Sequence, residues 1–192
     1  MENFYYGGEI KRELLLEANK KDELMSLLKK ANYFLRQEDE LLLFRDGYER
    51  HRDEYLSHHA LAEKNQWILF KPQSLNVLRY YIEHWVLASV FEAKLCQDAM
   101  AGNGELLMNY LNYHNLADSD NEKYLFEKGM ERYRHFYISV TSFHKEEIEQ
   151  KLFLPEYKED LELYLMYKRM FYKQNLKYLP KDYSNDSCAM GR

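Results

Sequence analysis

At 192 residues, the chain is long enough to bury a core without disulfides or a structural metal. Its net charge of −5 argues against nucleic-acid binding by the whole surface, although a local basic face stays compatible with it. It has two cysteines, no secretory leader is recognisable, and the longest apolar run, Trp85–Phe91, is far shorter than a membrane span of about 20 residues. We therefore expect a cytoplasmic protein without a membrane segment.

Glycine and proline are scarce, at 7 and 3, which predicts long helices with few breaks. In chain order, the predicted helices cover about 9–35, 39–64, 75–100, 106–114, 123–152 and 155–176. Asp46–Gly47 is a candidate break in the second helix, because glycine costs about 1 kcal/mol inside a helix. The β-branched stretch 136–143 is expected to be helical, since the helical period continues through it.

These elements predict an all-α fold: a single-domain helical bundle of five or six helices with irregular connections, over residues 1–178. The polar residues 179–192 are predicted to form a disordered C-terminal tail. No internal repeat is evident from the sequence.

A first candidate site is the pair Arg79 and His84. Their Arg-x4-His spacing resembles the R-x4–6-H motif of HEPN-type ribonucleases, an all-α, metal-independent family, and implies catalytic contacts to a scissile phosphate. The resemblance covers only this hexapeptide. Five residues along a helix correspond to about 140° of rotation, so the two side chains do not share a face. Arg79 does share a face with Glu83, with which it could form an ion pair. The alternative to a catalytic role is therefore a structural role for Arg79 and His84.

A second candidate is a ligand or metal pocket on the second predicted helix, along a seam of residues spaced three and four apart. Histidine can ligate a metal, and a His–Glu pair can move protons. A metal would need further ligands from another helix, so no metal or other cofactor is predicted. The alternative is a half-buried seam that reaches solvent. The pocket candidates are Tyr48, His51, Glu54, Tyr55 and His58.

A third candidate is the last predicted helix, where basic residues alternate with aromatic ones. Such residues can hold phosphates and stack on bases, or bind a protein partner. The alternative is a solvated helix face whose charges pair with the acidic stretch 38–63, within one molecule or across a homodimer. The candidate binding residues are Lys168, Arg169, Tyr172, Lys173 and Lys177.

The sequence leaves enzymatic activity undecided, because no recognisable cofactor-binding motif or nucleophile signature is present. Our first hypothesis is a non-enzymatic helical protein that binds another macromolecule in a regulatory, adaptor or immunity-type role. The partner that we expect first is a protein. The alternative is a nucleic-acid-acting protein, either a HEPN-like ribonuclease or a binder that uses the basic last helix.

Overall fold

The computed structural model describes residues 8–167, 169 and 171–179. These residues form α-helices and 3₁₀ helices, with one isolated bridge between Glu9 and Phe34 and no strand in the described part of the chain. The all-α class is confirmed. Within the same residues, no helix has the length and apolar character needed to cross a membrane.

The helices are shorter and more numerous than predicted. The α-helices among the described residues are α1 (Glu13–Leu16), α2 (Lys21–Leu28), α3 (Glu49–Leu56), α4 (Leu75–His84), α5 (Ser89–Met100), α6 (Glu105–Tyr113), α7 (Glu131–Val140), α8 (Glu146–Gln150) and α9 (Lys158–Met166). The longer 3₁₀ helices are Glu40–Phe44, Glu63–Phe70, Ser119–Phe126 and Lys173–Tyr178. The count of five or six helices was therefore wrong.

The predicted long helices break where the backbone leaves the helical region. The second predicted helix breaks at Gly47, whose φ of 80° favours glycine, and α3 begins two residues later. The third ends at His84, because Trp85 is extended at φ −133° and ψ 142°. The stretch 136–143 is helical only as far as Val140, after which Thr141 is extended.

The chain divides into two compact units, Met1–Leu87 and Ala88–Arg192. This division leaves the single-domain organisation over 1–178 unconfirmed. Apart from Leu179, the predicted tail lies outside the described residues. In the first unit, α2 packs on α3, and α4 packs on the 3₁₀ helix Glu63–Phe70; in the second, α7 packs on both α6 and α9.

An internal repeat, unrecognised in the sequence, becomes visible in the structure. It pairs a 3₁₀ or α-helical segment carrying a buried Glu or Gln with a following α-helix carrying a buried Tyr. Three residues after each Glu or Gln comes a buried leucine: Leu43, Leu69, Leu95, Leu125 or Leu152. The repeat is 26 to 30 residues long, and its copies begin at 39, 65, 91, 121 and 148. This variable length and the few shared residues concealed it.

Candidate functional surface

A buried acidic side chain organises four of the five copies of the repeat, as Glu92 shows. Its side chain is fully buried and accepts hydrogen bonds from the Tyr110 hydroxyl (2.6 Å), the Ala117 backbone N–H (2.7 Å) and the Asn121 side-chain amide (3.1 Å). The backbone N–H of Asp118 also donates to it, over 3.1 Å. These donors come from the helix and the loop that follow Glu92, so the buried carboxylate fixes both.

Glu149 repeats the arrangement with equivalent partners. It accepts hydrogen bonds from the Tyr164 hydroxyl (3.1 Å), the Tyr172 backbone N–H (2.8 Å) and the Asn175 side-chain amide (2.9 Å). Tyr164 also accepts a hydrogen bond from the backbone N–H of Phe143, in the preceding copy, so its hydroxyl connects neighbouring copies.

Glu40 makes the same contacts in the first unit. Its partners are the Tyr55 hydroxyl at 3.4 Å, the Ala62 backbone N–H at 3.0 Å and the Asn65 side-chain amide at 2.6 Å. Burial raises the pKa of Glu40, while these hydrogen bonds oppose the shift. Burial and the nearby Glu40 charge raise the pKa of Tyr55, so Tyr55 keeps its proton and stays a donor.

Glu122 differs in its third partner. The Tyr137 hydroxyl donates to it over 2.8 Å and the His144 backbone N–H over 2.9 Å, as in the other copies. In place of the asparagine amide, His144 Nδ1 lies 2.7 Å from Glu122 Oε1. The His144 side chain is 43% exposed, so this ring connects the buried carboxylate to the surface.

Gln66 occupies the equivalent position in the second copy. Its side-chain amide lies 3.3 Å from the Tyr81 hydroxyl, which also accepts a hydrogen bond from the Leu61 backbone N–H over 3.1 Å. Burial raises the pKa of Tyr81 to about 12. We call each of these arrangements a tyrosine–carboxylate cluster, with Gln66 as the amide variant. Four of the five acidic or amide side chains are saturated by donors from their own fold, which is typical of a structural group rather than a catalytic one.

Arg79 and His84 both lie on α4. Arg79 is half-buried, whereas His84 is exposed at the last residue of the helix. The His84 ring stacks on Tyr80 with centroids 4.2 Å apart, and its Nδ1 lies 2.8 Å from the Tyr80 carbonyl oxygen. One ring nitrogen of His84 is thus engaged with its own helix.

The five pocket candidates lie on α3 and at its start, where the rings of Tyr48 and His51 are neighbours with centroids 5.4 Å apart. The Tyr48 hydroxyl donates to the Leu15 carbonyl over 2.7 Å, and His51 Nε2 lies 3.0 Å from the Lys21 carbonyl. Tyr55 belongs to the Glu40 cluster. The remaining two candidates, Glu54 and His58, form a partly exposed pair 3.6 Å apart. Among the described residues, no group of three or more His, Cys, Asp or Glu side chains is placed to hold a metal.

The predicted basic helix is not continuous, because α9 ends at Met166 and a 3₁₀ helix begins at Lys173. Arg169 donates to the Ile138 carbonyl over 2.7 Å and to the Ser139 carbonyl, so its guanidinium holds the end of α7. Tyr172 donates its hydroxyl to the His144 carbonyl. Lys173 and Lys177 are exposed, and the side chain of Lys168 lies outside the described residues.

Cys96 offers no reactive thiol. It is fully buried, and burial raises its pKa to about 12, so the thiolate is absent at neutral pH.

A surface that sequence reasoning missed lies on the outward face of α6, α7 and α9. The two equivalent positions lie one before and three after each buried tyrosine, on one face; Tyr167 directly follows the last residue of α9. At the later position, Tyr113, Val140 and Tyr167 are 54%, 47% and 42% exposed. None of these six residues is charged, but the Arg169 guanidinium, bound to the Ile138 and Ser139 carbonyls, lies 5.6 Å from the Tyr167 ring centroid. We call them the uncharged belt: Asn109, Tyr113, Phe136, Val140, Leu163 and Tyr167.

The segments around the N-termini of α6, α7 and α9 are charged. In and just before the first turns of α7 and α9, and at the start of α6, exposed acidic residues outnumber basic ones. We call this region the acidic rim. Its exposed acidic members are Glu105, Glu127, Glu131, Glu156, Glu159 and Glu162, and its exposed basic members are Lys128, Arg132 and Lys158.

Comparison with known proteins gave no match: no family model, no curated protein and no solved structure is significantly similar to this chain.

Proposed function

We propose that this protein acts by binding another protein, in a regulatory or adaptor role, and that it performs no chemistry of its own. The observation that supports this proposal most is the repeated tyrosine–carboxylate cluster. Each cluster fixes a helix and its following loop, so the helices of successive copies within a unit are held in equivalent ways. Helical repeats of this kind commonly serve as scaffolds for partner binding.

The contacts made by the groups that could act in catalysis also support a binding role. Glu92 and Glu149 are saturated by donors of the fold, and Cys96 is buried with a raised pKa. His51 contacts the Lys21 carbonyl, whereas His58 pairs with Glu54. A nucleic-acid role has less support, because Arg169 is engaged with backbone carbonyls and the chain is acidic overall.

The test is in-cell crosslinking of the tagged full-length chain, followed by nuclease treatment and mass spectrometry. We expect a discrete crosslinked protein species that survives the nuclease. The matched control is Leu125→Asp, which places a charge at a fully buried position and should abolish the folded surface. Crosslinks that disappear on nuclease treatment, or that persist in the control variant, would contradict the proposal.

A further inference from the structure

We infer that Asn103 is a site of spontaneous modification, where water converts the asparagine to aspartate and isoaspartate, and that the isoaspartyl form loosens the start of α6. This is a change of the chain itself, so it goes beyond the proposed binding function and does not depend on it. The inference rests on the sequence Asn103–Gly104, on the contacts of these two residues and on the packing of Gly104 against Tyr133.

The chemistry needs only the chain and water. The backbone nitrogen of Gly104 attacks the side-chain carbonyl carbon of Asn103, Cγ, and closes a five-membered succinimide ring. The bond from Cγ to the side-chain nitrogen breaks, and ammonia leaves with the proton of the Gly104 nitrogen. Water then opens the ring. Hydrolysis at Cγ gives aspartate, whereas hydrolysis at the backbone carbonyl carbon gives isoaspartate, whose main chain is longer by one methylene group.

The surroundings of Asn103 leave the reacting groups available. Of the asparagines in the chain, Asn103 alone precedes a glycine, whose missing Cβ leaves the attacking nitrogen uncrowded. The Asn103 side chain is exposed, and among the described residues no hydrogen bond holds this side chain or the Gly104 N–H. Gly102, just before it, has a φ of 93° and open space around it. The loop between α5 and α6 therefore has room to close the ring.

A second dipeptide that can form a succinimide, Asp46–Gly47, is held by its neighbours. The Gly47 N–H donates to the Glu49 carboxylate over 3.0 Å, and the Gly47 carbonyl accepts a hydrogen bond from the Lys21 ammonium over 2.8 Å. A nitrogen whose proton is bonded to a carboxylate is a poorer nucleophile, because that proton has to leave during the attack. We therefore expect the reaction at Asn103 and not at Asp46.

The packing of Gly104 gives isoaspartate a structural consequence. A Cβ built on Gly104 would lie 1.6 Å from the Tyr133 hydroxyl oxygen and 3.1 Å from Ala99 Cβ, so the main chain here is in close contact with α7 and α5. An extra methylene group before Gly104 displaces this main chain where little room is left. The displaced helix, α6, carries Tyr110, whose hydroxyl donates to the buried Glu92. Isoaspartate should therefore weaken this copy of the repeat.

Plain aspartate at position 103 should not have this effect. It keeps the normal main chain and places a negative charge just before the N-terminus of α6, where the helix dipole favours it. The two products of one reaction are thus expected to differ in stability, and this difference separates the added charge from the lengthened main chain.

The direct test is incubation of the full-length chain in mildly alkaline buffer at physiological temperature, followed by digestion and mass spectrometry. Conversion of Asn103 raises the mass by about 1 Da, because a hydroxyl group replaces an amino group. A methyltransferase specific for isoaspartate reports the isoaspartyl product. The internal control is Asn112, an exposed asparagine inside α6.

We expect Asn103 to react about tenfold or more faster than Asn112, because α6 has to open before the nitrogen of residue 113 can attack. Asn103→Gln should abolish the isoaspartyl signal, since its longer side chain would have to close a six-membered ring. Equal rates at Asn103 and Asn112, or as much isoaspartate at Asp46 as at position 103, would overturn the inference.

Urea denaturation tests the loosening of α6. We expect the isoaspartyl fraction of the aged chain to unfold at a lower urea concentration than fresh wild type, and fresh Asn103→Asp to match wild type. In Tyr133→Phe, which lacks the hydroxyl group beside Gly104, the loss caused by isoaspartate should be smaller. An isoaspartyl fraction as stable as fresh wild type, an equal loss in Asn103→Asp, or an undiminished loss in Tyr133→Phe would overturn this part of the inference.

Discussion

The Tyr137 hydroxyl donates a hydrogen bond to Glu122 Oε1 over 2.8 Å, and neither side chain has any exposed surface. Burial and the Glu122 charge raise the pKa of Tyr137, so the tyrosine keeps its proton. Equivalent pairs, Tyr110 with Glu92 and Tyr164 with Glu149, occur in the neighbouring copies. This contact therefore recurs as the element that joins helix to loop in the second unit.

Replacing Tyr137 with phenylalanine should lower the free energy of unfolding by about 1–3 kcal/mol, because Glu122 would stay buried with one donor fewer. The matched control is Tyr113→Phe, at an exposed position, where we expect a change within about 0.5 kcal/mol. Urea denaturation measures both. Equal stability of the two variants would show that the buried hydroxyl contributes nothing.

The pH dependence of stability should carry the signature of Glu40. Its pKa is raised in the folded state by burial, so the folded protein holds this proton at pH values where the unfolded chain has released it. This contribution to stability is complete below the pKa of the unfolded chain and is lost as pH rises through the folded pKa. The stability difference between wild type and Glu40→Gln should therefore shift against wild type as pH rises above about 4.5.

Gln66 shows that an amide is tolerated at this position of the repeat. We therefore expect Glu40→Gln to fold, and Glu40→Ala to lose about 1–3 kcal/mol at neutral pH, since Asn65 and the Ala62 N–H would lose their acceptor. Urea titrations of the three proteins from pH 4 to 8 supply the comparison. If the difference in free energy of unfolding between wild type and Glu40→Gln does not change with pH, the raised pKa of Glu40 is contradicted.

Arg134 and Asp160 form an ion pair in the core of the second unit, with Arg134 Nε 2.7 Å from Asp160 Oδ1 and both side chains at most 5% exposed. Arg134 also donates to the Leu125 carbonyl over 2.8 Å. Arg134→Met should cost about 3–5 kcal/mol, because it leaves a buried carboxylate that only the partly exposed His135, 3.1 Å away, can partner.

The double variant Arg134→Met, Asp160→Leu should recover much of this loss, since replacing both partners with apolar residues removes the uncompensated charge. The measurement is a double-mutant cycle by chemical denaturation. Additive losses in the cycle would show that the two side chains act independently.

The Arg79 and His84 pair has a simple biochemical test. Because His84 is exposed and stacks on Tyr80, His84→Ala should change stability by less than about 1 kcal/mol. We expect purified wild-type protein to leave RNA intact in EDTA, and His84→Ala to behave identically. Metal-independent cleavage by wild type, lost in His84→Ala while the fold is retained, would establish the ribonuclease alternative and overturn the proposed function.

The break at Gly47 is a feature of the fold that could be predicted from the sequence. Its place inside an otherwise helical pattern marked a candidate break, and the positive φ required there explains it. The break after His84 had no such mark, because Trp85–Ala88 reads as part of an apolar helix. In the folded chain, this stretch lies outside the helix. Near the end of the helix, the Tyr81 hydroxyl accepts a hydrogen bond from the backbone N–H of Leu61, twenty residues earlier in the chain.

The buried glutamates show what the sequence concealed. Glu40 and Glu92 look like ordinary solvated charges in a chain that is 31% charged, and nothing local marks them as core residues. The sequence sign of their burial is a spacing: a tyrosine follows 15 or 18 residues later, and an asparagine follows the tyrosine. Because the copies differ in length by a few residues, the repeat has no fixed period in the sequence.

The sequence by itself determined the all-α class, because few glycines and prolines interrupt a helical pattern of apolar residues. It also contained the tyrosines that the fold uses, but not their roles. Tertiary structure decided which carboxylates are buried, since a glutamate enters the core only where the fold supplies donors from residues distant in the chain. It likewise decided which face of α6, α7 and α9 is buried, because the buried tyrosine of each helix is held by a glutamate from an earlier segment of the chain.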